Sequence, residues 1–294
     1  MKTKTWITGH ILALITIIIW GNTFVSTRFL IIEQGMTPLE ILFYRFLLAY
    51  VMLLIIHPRF KKPADWKEEL LFLLAGFLGV TFYQLMENLS LSFTSSSNVS
   101  LIGSTAPIFT AVGIFFFDKS EKLTRMFFIG VAVAILGTVL IIFNGQFMPE
   151  LNPLGDFLAL SSAVIWGAYS VVLKRVIGKG YHVFYYTRKM FFYALLAMIP
   201  FMILMPFRAE PAWLENSAVI FNIAFLGVGA SAIGFVTWNK AVAILGAIRT
   251  SPYIYLSPLI TIVTAAIVLN EPVTPLILGG CALILIGVYI SDKK

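Results

Sequence analysis

The chain has 294 residues, of which 59% are hydrophobic and only 12% are charged. Soluble domains carry about 25% charged residues, so this composition excludes an ordinary soluble protein and indicates an integral membrane protein. The net charge of +7 could favour nucleic acid. The basic residues do not form one patch, however, and we expect no nucleic-acid partner. The single cysteine, Cys281, excludes an intramolecular disulfide and a thiolate metal cluster.

Apolar runs of about 20 residues are long enough to cross a bilayer as helices. The sequence predicts ten such spans, joined by connections too short for a soluble domain. In chain order they are 7–27, 37–56, 69–92, 96–117, 125–144, 154–174, 182–205, 217–241, 246–269 and 273–291. We therefore predict an all-α, multi-pass protein of the cell membrane, embedded in the lipid bilayer. Lys2 and Lys4 precede the first run and no small-residue cleavage site follows it, so we expect no cleavable signal.

Lysine and arginine are unevenly divided between the two sides of the predicted membrane. With the N-terminus inside, fifteen of the 21 basic residues fall on the inner side. Two of them, Arg28 and Arg208, fall on the outer side, and the remaining four lie within spans. Cytoplasmic loops carry the excess of basic residues in membrane proteins. The bias therefore predicts that both termini are cytoplasmic.

Motifs of the first half of the chain return in the second half. The matching pairs are Trp20-Gly21 with Trp166-Gly167, Arg45 with Arg188, Asn88 with Asn239, Pro107 with Pro258, Glu121 and Thr124 with Glu271 and Thr274, and Gly130 and Gly137 with Gly280 and Gly287. Residues 1–148 and 149–294 are thus predicted to be two copies of one five-span unit. Because five is odd, the copies cross the membrane in opposite senses. Inverted repeats are typical of secondary transporters, with the substrate site near the bilayer midplane.

These features resemble the drug/metabolite transporter superfamily, EamA type, over essentially the whole chain. The resemblance rests on Trp-Gly in the first span of each half, on the sequence Ser-Asn-Val-Ser followed by Ala-Pro in span four, and on an acid followed by Thr between spans four and five. It implies a cavity between spans 1, 3, 4, 6, 8 and 9. It also implies transport, mostly export, of amino acids, related metabolites or toxic compounds. Many members of this family have small or apolar residues in the third span where this chain has Glu87-Asn88. The formal charge of Glu87 favours a substrate with a cationic moiety.

The charged residue that stands out is Glu87, inside a run that otherwise reads as membrane-spanning. A carboxylate at that depth costs about 2.5–3.5 kcal/mol on insertion scales, so it should face protein or a water-filled cavity. One interpretation is a site for a substrate ammonium group or a coupling proton. The alternative is a structural ion pair with Arg45. Tyr83 lies one turn earlier and shares the face of Glu87.

Other polar and aromatic residues accompany Glu87 as candidates. Ser100 and Ser104 share one helical face, and the tryptophans within spans could form stacking or cation–π walls. Packing between helices explains the tryptophans equally well. The predicted substrate-binding residues are Glu87, Tyr83, Trp20, Ser100, Ser104, Trp166, Tyr169, Trp238 and Tyr255.

The sequence therefore predicts a secondary active transporter that exports small metabolites, such as amino acids or cationic amines, by alternating access, with proton coupling at Glu87 as an option. We expect no cofactor, no metal site and no enzymatic activity. An importer or facilitator, a membrane-embedded enzyme on lipid-linked substrates, and a non-transporting partner subunit or sensor are the alternatives. Polar residues lie in mid-span rather than at one interface, which argues against the enzyme. Glycine-rich faces are compatible with a homodimer as well as with packing within one chain.

Overall fold

A computed structural model describes residues 2–61, 65–117, 124–143, 152–208, 210, 213, 215–269 and 275–291. All regular secondary structure in these ranges is helical. The helices of the first half are α1 (Lys2–Trp20), α2 (Thr23–Ile32), α3 (Pro38–Ile56), α4 (Trp66–Gly76), a π-helix (Phe77–Phe82), α5 (Tyr83–Leu91), α6 (Ser96–Gly103), α7 (Ala106–Phe117) and α8 (Arg125–Phe143). Those of the second half are α9 (Pro153–Gly178), α10 (Val183–Leu204), α11 (Ser217–Ala224), a π-helix (Phe225–Ile233), α12 (Gly234–Leu245), α13 (Ala247–Thr250), a 3₁₀-helix (Ser251–Leu256), α14 (Ser257–Leu269) and α15 (Pro275–Ser291). Glu121, Glu271 and Thr274 lie outside the described residues.

Six helical stretches in the described ranges are long and apolar enough to cross a membrane. They are Lys4–Ile32, Pro38–Ile56, Trp66–Leu91, Pro153–Gly178, Val183–Leu204 and Ser217–Leu245. Shorter apolar helices occupy parts of other predicted spans, at Ala106–Phe117, Arg125–Leu140 and Leu278–Ser291. The multi-pass, all-helical class predicted from the sequence is therefore confirmed, and the count of ten spans stays a prediction.

The chain sets the start of several helices with polar caps. At α3, the Thr37 side chain accepts from the Glu40 backbone N–H, and Glu40 accepts from the Thr37 N–H at 2.7 Å, which is a capping box. The second oxygen of this fully buried Glu40 accepts from the Arg208 N–H at 2.5 Å. Asn152 caps α9, where Pro153 occupies the first turn. Helix starts at the ends of the bundle are thus satisfied by side chains before the chain enters its apolar region.

Two predicted spans are broken at matching places in the two halves. Helix α6 ends at Gly103 and α7 begins at Ala106, so Pro107 is the second residue of a new helix. In the second half the 3₁₀-helix ends at Leu256, and Pro258 is the second residue of α14. A proline in the middle of a predicted span is expected to kink a continuous helix. These prolines lie instead at helix starts, because proline lacks an N–H and is tolerated in a first turn.

The two π-helices also occupy matching places. In the first, the Tyr83 N–H donates to the Leu78 carbonyl, five residues earlier. In the second, the Gly234 N–H donates to the Gly229 carbonyl, again five residues earlier. Hydrogen bonds of this spacing are rare and frequently mark functional sites. Sequence periodicity alone gave no sign of either segment.

Close glycine contacts join α8 to α15. A Cβ atom on Gly130 would lie 2.4 Å from the Gly287 carbonyl oxygen, and one on Gly137 would lie 2.5 Å from the Gly280 carbonyl oxygen. The residue numbers rise along one helix as they fall along the other, so the two helices run antiparallel. Small residues at such crossings let the backbones approach closely.

Replacing Gly130 with Ala should separate these two helices. The new methyl group would overlap the Gly287 backbone, and overpacking of this kind costs about 1–3 kcal/mol of the free energy of unfolding. The measurement is the thermal unfolding midpoint of the detergent-purified protein.

The matched control for Gly130→Ala is Gly279→Ala on α15. A Cβ atom at Gly279 meets no described atom within 4 Å. This variant should match the wild type or gain up to about 1 kcal/mol of helix propensity. Equal midpoints for the two variants would show that the Gly130 contact does not limit stability.

Candidate functional site

A buried cavity of about 50 Å³ lies where helices from both halves of the chain meet. The first half contributes residues from α1, α2, α3, α5, α6 and α7, and the second half contributes residues from α9, the 3₁₀-helix and α14. Six of the nine predicted substrate-binding residues line it: Trp20, Tyr83, Glu87, Ser100, Ser104 and Trp166. Residues scattered from position 20 to position 257 are therefore brought to one site.

Glu87 is 6% exposed and lies on the cavity wall. Its Oε2 atom accepts a 2.6 Å hydrogen bond from the hydroxyl of Tyr83, one helical turn earlier. Hydrogen bonds to a carboxylate are about twice as strong as neutral ones, so this contact fixes the direction of the side chain. The carboxylate thus faces a small cavity inside the protein and is kept away from lipid, as a charge at this depth requires.

Arg45 is 2% exposed and lines the same cavity from α3. Its Nε atom donates to Ser231 Oγ at 2.9 Å, and one terminal nitrogen donates to Gln84 Oε1 at 3.0 Å. Among the described contacts, the direct ion pair considered for Arg45 and Glu87 is not formed. Gln84 and Tyr83 take the bonds that the pair would have used. The two charges are held apart on one cavity wall.

Aromatic rings close the other side of the cavity. The Trp20 and Trp166 ring centroids are 5.5 Å apart and nearly perpendicular, and Tyr83 lies 4.9 Å from Trp166. The Trp20 indole donates to the Ala230 carbonyl at 2.9 Å. Edge-to-face rings present negative π faces, which attract cations. A cationic group near Glu87 would therefore meet aromatic faces as well as a carboxylate.

Three predicted residues are buried without lining the cavity. Trp238 packs 5.2 Å from Trp20 and 5.9 Å from Trp166, measured between ring centroids. The fully buried Tyr169 packs on Trp166, and its hydroxyl donates to Asn239 at 3.3 Å. Tyr255 is also fully buried. In this conformation Trp238 and Tyr169 support the aromatic wall from behind.

Two polar atoms of cavity-lining residues lack partners. Trp166 Nε1 and Ser100 Oγ are buried and form no hydrogen bond with any described residue. A buried donor left unpaired costs about 1–3 kcal/mol, so such atoms call for a water or a ligand. Arg45 also uses two of its five N–H groups in the bonds above, which leaves donors for a further acceptor.

The cavity includes polar residues that sequence reasoning missed. Thr23, Ser162 and Ser257 line it, as does Gln84, which the spacing Tyr83-Gln84-Glu87 could have indicated. The wall also differs from the implied set of spans. Span 2 contributes Arg45, whereas span 8 lies behind the aromatic layer. Single hydroxyl residues in apolar runs gave no signal, because such residues more often bond their own helix backbone.

A hydrogen-bonded network joins three helices beside the cavity. The Asn98 amide on α6 donates to Asp156 on α9 at 2.5 Å and to Thr94 Oγ1 at 3.0 Å. Arg28 on α2 donates to the Thr94 carbonyl. The network therefore holds α2, α6 and α9 together on the side where α6 begins.

Comparison with known proteins settles the class of protein. A model described as the EamA-like transporter family matches residues 7–143 and matches again at residues 153–291. The chain belongs to the EamA-like transporter family. This EamA-like chain is therefore a multi-pass membrane transporter of small molecules and not an enzyme, so the alternative of an enzyme acting on lipid-linked substrates is wrong.

Curated relatives of this EamA-like chain match over nearly their full length. An "uncharacterized transporter" of Archaeoglobus fulgidus is 27% identical, and the alignment covers 100% of this chain and 99% of the length of that protein. A "probable terminal-alkyne amino-acid exporter" of Streptantibioticus cattleyicolor is 28% identical over 95% of this chain and 92% of that protein. A "probable amino-acid metabolite efflux pump" of Escherichia coli is 25% identical over 96% of this chain and 93% of that protein. A solved crystal structure superposes with a TM-score of 0.73 at 17% identity over 96% of this chain and 95% of that one, which shows a shared fold.

The position of Trp20 depends on a glycine in α12. A Cβ atom on Gly234 would lie 2.5 Å from Trp20 Nε1. Gly234→Ala should therefore displace the indole and weaken its bond to the Ala230 carbonyl, lowering the free energy of unfolding by about 1–3 kcal/mol. Thermal unfolding together with tryptophan fluorescence measures both effects.

Gly229→Ala is the control, because its Cβ atom would lie 3.5 Å from Phe225, an ordinary contact. This variant should keep the fluorescence of the wild type. If Gly234→Ala also keeps that spectrum and that stability, then the indole is not held in the position described.

Proposed function

We propose that this protein is a secondary active transporter that exports amino acids or related amine metabolites by alternating access through the cavity at Glu87. The observation that carries the proposal is that a carboxylate and a guanidinium, not bonded to each other, line one aromatic-walled cavity between the two halves. The substrate-binding residues proposed are the six predicted residues that line the cavity, with Arg45 and Gln84 added, while Tyr169, Trp238 and Tyr255 are proposed to support them.

The chemistry of the wall suits a small molecule with an ammonium group. Glu87 supplies the opposite charge, and the faces of Trp20 and Trp166 supply cation–π attraction. A carboxylate on the same molecule could accept from Arg45, from Ser100 Oγ or from the unpaired Trp166 N–H. The separation of Glu87 from Arg45 leaves each charge available to a zwitterion.

The volume of the cavity supports a closed state in a transport cycle. A cavity of about 50 Å³ holds a few waters, whereas sites for small organic ligands span about 300–1,000 Å³. Substrate entry therefore requires the helices to move. The network of Asn98, Asp156, Arg28 and Thr94 would have to open if the path leads past the start of α6.

Reciprocal contacts support the inverted-repeat arrangement proposed for residues 1–148 and 149–294. In the sequence repeat, Gly130 is equivalent to Gly280 and Gly137 is equivalent to Gly287. In space, Gly130 contacts Gly287 and Gly137 contacts Gly280, so each glycine contacts the equivalent of the other. A two-fold axis in the plane of the membrane produces such an exchange between antiparallel helices. We propose that rocking of the halves about this axis exposes the cavity to either side in turn.

The names of two relatives favour export. The Streptantibioticus protein is named a probable amino-acid exporter and the Escherichia coli protein a probable amino-acid metabolite efflux pump. Their identities of 25–28% are too low to transfer a particular substrate. We therefore propose the substrate class and the direction. We further propose that both termini are cytoplasmic and that proton binding at Glu87 couples to transport.

Glu87→Gln should abolish pH-dependent transport and preserve the fold. The pair concerned is Glu87 with the ammonium group of a bound substrate. Loss of one partner from such a buried charge pair costs about 2–5 kcal/mol of binding free energy, which lowers the apparent affinity about 30-fold or more. Ligands are first found by thermal shift against amino acids, polyamines and organic cations at two pH values. Counterflow of the strongest ligand is then measured in liposomes holding the purified protein.

The matched control is Glu33→Gln, since Glu33 is exposed at the end of α2 and is absent from the cavity wall. It should transport as the wild type does. Unchanged transport and pH dependence in Glu87→Gln would remove Glu87 from the mechanism. No flux of any ligand in this panel by the wild-type protein would overturn the proposed substrate class of amino acids and related amines.

A further inference from the structure

A second, larger cavity of about 430 Å³ lies between α3, α4 and α10. It shares no lining residue with the cavity at Glu87. Its wall comes from the chain just after α3 (Phe60 and Lys61), from Glu69 on α4, and from Arg188 and Lys189 on α10, together with aromatic residues. Phe60, Lys61 and Glu69 lie near the ends of predicted membrane spans, where lipid headgroups lie, and the α10 residues extend the wall into the span.

The wall of this cavity carries an excess of positive charge. Lys61, Arg188 and Lys189 give +3 and Glu69 gives −1, so the net charge is +2. Glu69 is already occupied: Lys189 Nζ lies 2.5 Å from its Oε1, and the Tyr193 hydroxyl donates to its other oxygen. With the neighbouring Glu68 counted as well, three cations face two acids and a net charge of +1 remains.

The neighbouring acid Glu68 is also occupied. It is buried, and a hydrogen bond from the Tyr181 hydroxyl to it, with burial adding to the effect, raises the pKa of Tyr181 to about 12. Tyr181 is therefore a neutral donor at physiological pH. The Lys61 ammonium stands 5.1 Å from the centroid of the Tyr181 ring, over its face.

Arg188 makes the floor of the cavity rigid. Its guanidinium is 2% exposed and donates to the His57 carbonyl and to the Arg59 carbonyl, the latter at 2.8 Å. These bonds tie the chain after α3 to α10, so the position of Lys61 follows from that of Arg188. The guanidinium also lies 4.4 Å from the Phe60 ring centroid. The cations are thus preorganised for an anionic group.

The rim of the cavity is apolar and exposed. Phe60 is 74% exposed and Phe192 is 43% exposed, and both line the cavity. Nearby, Trp66 at the start of α4 is 70% exposed, with Lys67 Nζ 5.9 Å from its ring. Exposed aromatic residues at span ends sit at the level of lipid headgroups. A cationic floor with an aromatic rim fits a molecule that has an anionic head and an apolar tail.

We propose that this cavity binds the headgroup of an anionic phospholipid. Its phosphate would accept from Lys61 and lie in the field of Arg188, and its acyl chains would run along Phe192 and the outer faces of α3 and α10. Because α3 belongs to the first half of the chain and α10 to the second, the lipid would bridge the two halves. Basic pockets between spans are suited to such headgroups.

The test uses the full-length protein in a neutral detergent. Phosphatidylglycerol and phosphatidylcholine with the same acyl chains are added in turn, and bound lipid and the thermal midpoint are measured by native mass spectrometry and thermal unfolding. Phosphatidylglycerol should be retained more strongly and should raise the midpoint more. Lys61→Gln should weaken its apparent affinity about five-fold, since each cation near the membrane surface contributes that much.

Lys240→Gln is the matched control, because Lys240 is an exposed lysine that lines neither cavity. It should retain phosphatidylglycerol as the wild type does. Equal losses in Lys61→Gln and Lys240→Gln, or equal binding of the two lipids by the wild type, would overturn the proposal. So would an equal midpoint shift with glycerol phosphate, which would indicate a soluble phosphoryl compound. Phe60→Ala should weaken lipid binding without changing any response to glycerol phosphate.

Discussion

Hydrocarbon offers no partner for a polar atom, and most of this structure can be understood as a response to that fact. Glu87 and Arg45 enter the bundle interior, and each is met by a neighbour: a tyrosine for the acid, and a serine and a glutamine for the base. The breaks in the helices follow the same constraint. The chain between α6 and α7 leaves regular helix beside the cavity, at Ser104, where lipid does not reach.

The two arginines at matching places in the repeat show how one position can be used in two ways. Arg45 bonds side chains and keeps donors free beside a small closed cavity. Arg188 donates its hydrogen bonds to backbone carbonyls and forms the floor of the second, larger cavity. The inverted arrangement proposed here would put these cavities toward opposite faces of the membrane. One motif would then serve a substrate at one depth and a lipid at another.

Much of the candidate site could be predicted because a polar residue in an apolar run is conspicuous. Glu87 stood out for that reason, and Trp20 and Trp166 stood out through their repetition. What could not be predicted depends on distances between residues far apart in the chain. The bond from Arg45 to Ser231 joins positions 186 residues apart, and the unpaired Trp166 N–H is recognisable only once its surroundings are known. The second cavity was missed because Lys61 lies in a predicted loop and Arg188 and Lys189 lie within a predicted span, and no sequence pattern places the three cations together.

The π-helices bear on how this chain tolerates changes in length. Each has a wide turn with hydrogen bonds spanning five residues, and the residues that follow, Tyr83 and Glu87 in one half and Trp238 in the other, take their orientation from it. Such a turn holds one residue more than a regular α-helical turn, so the loss of one residue from positions 77–82 would let the chain close into a regular α-helix and leave Glu87 facing the cavity. A residue removed from the regular helix α4 has no such compensation and would turn everything after it by about 100° around the helix axis. The acid would then leave the cavity although no side chain in the wall had been replaced.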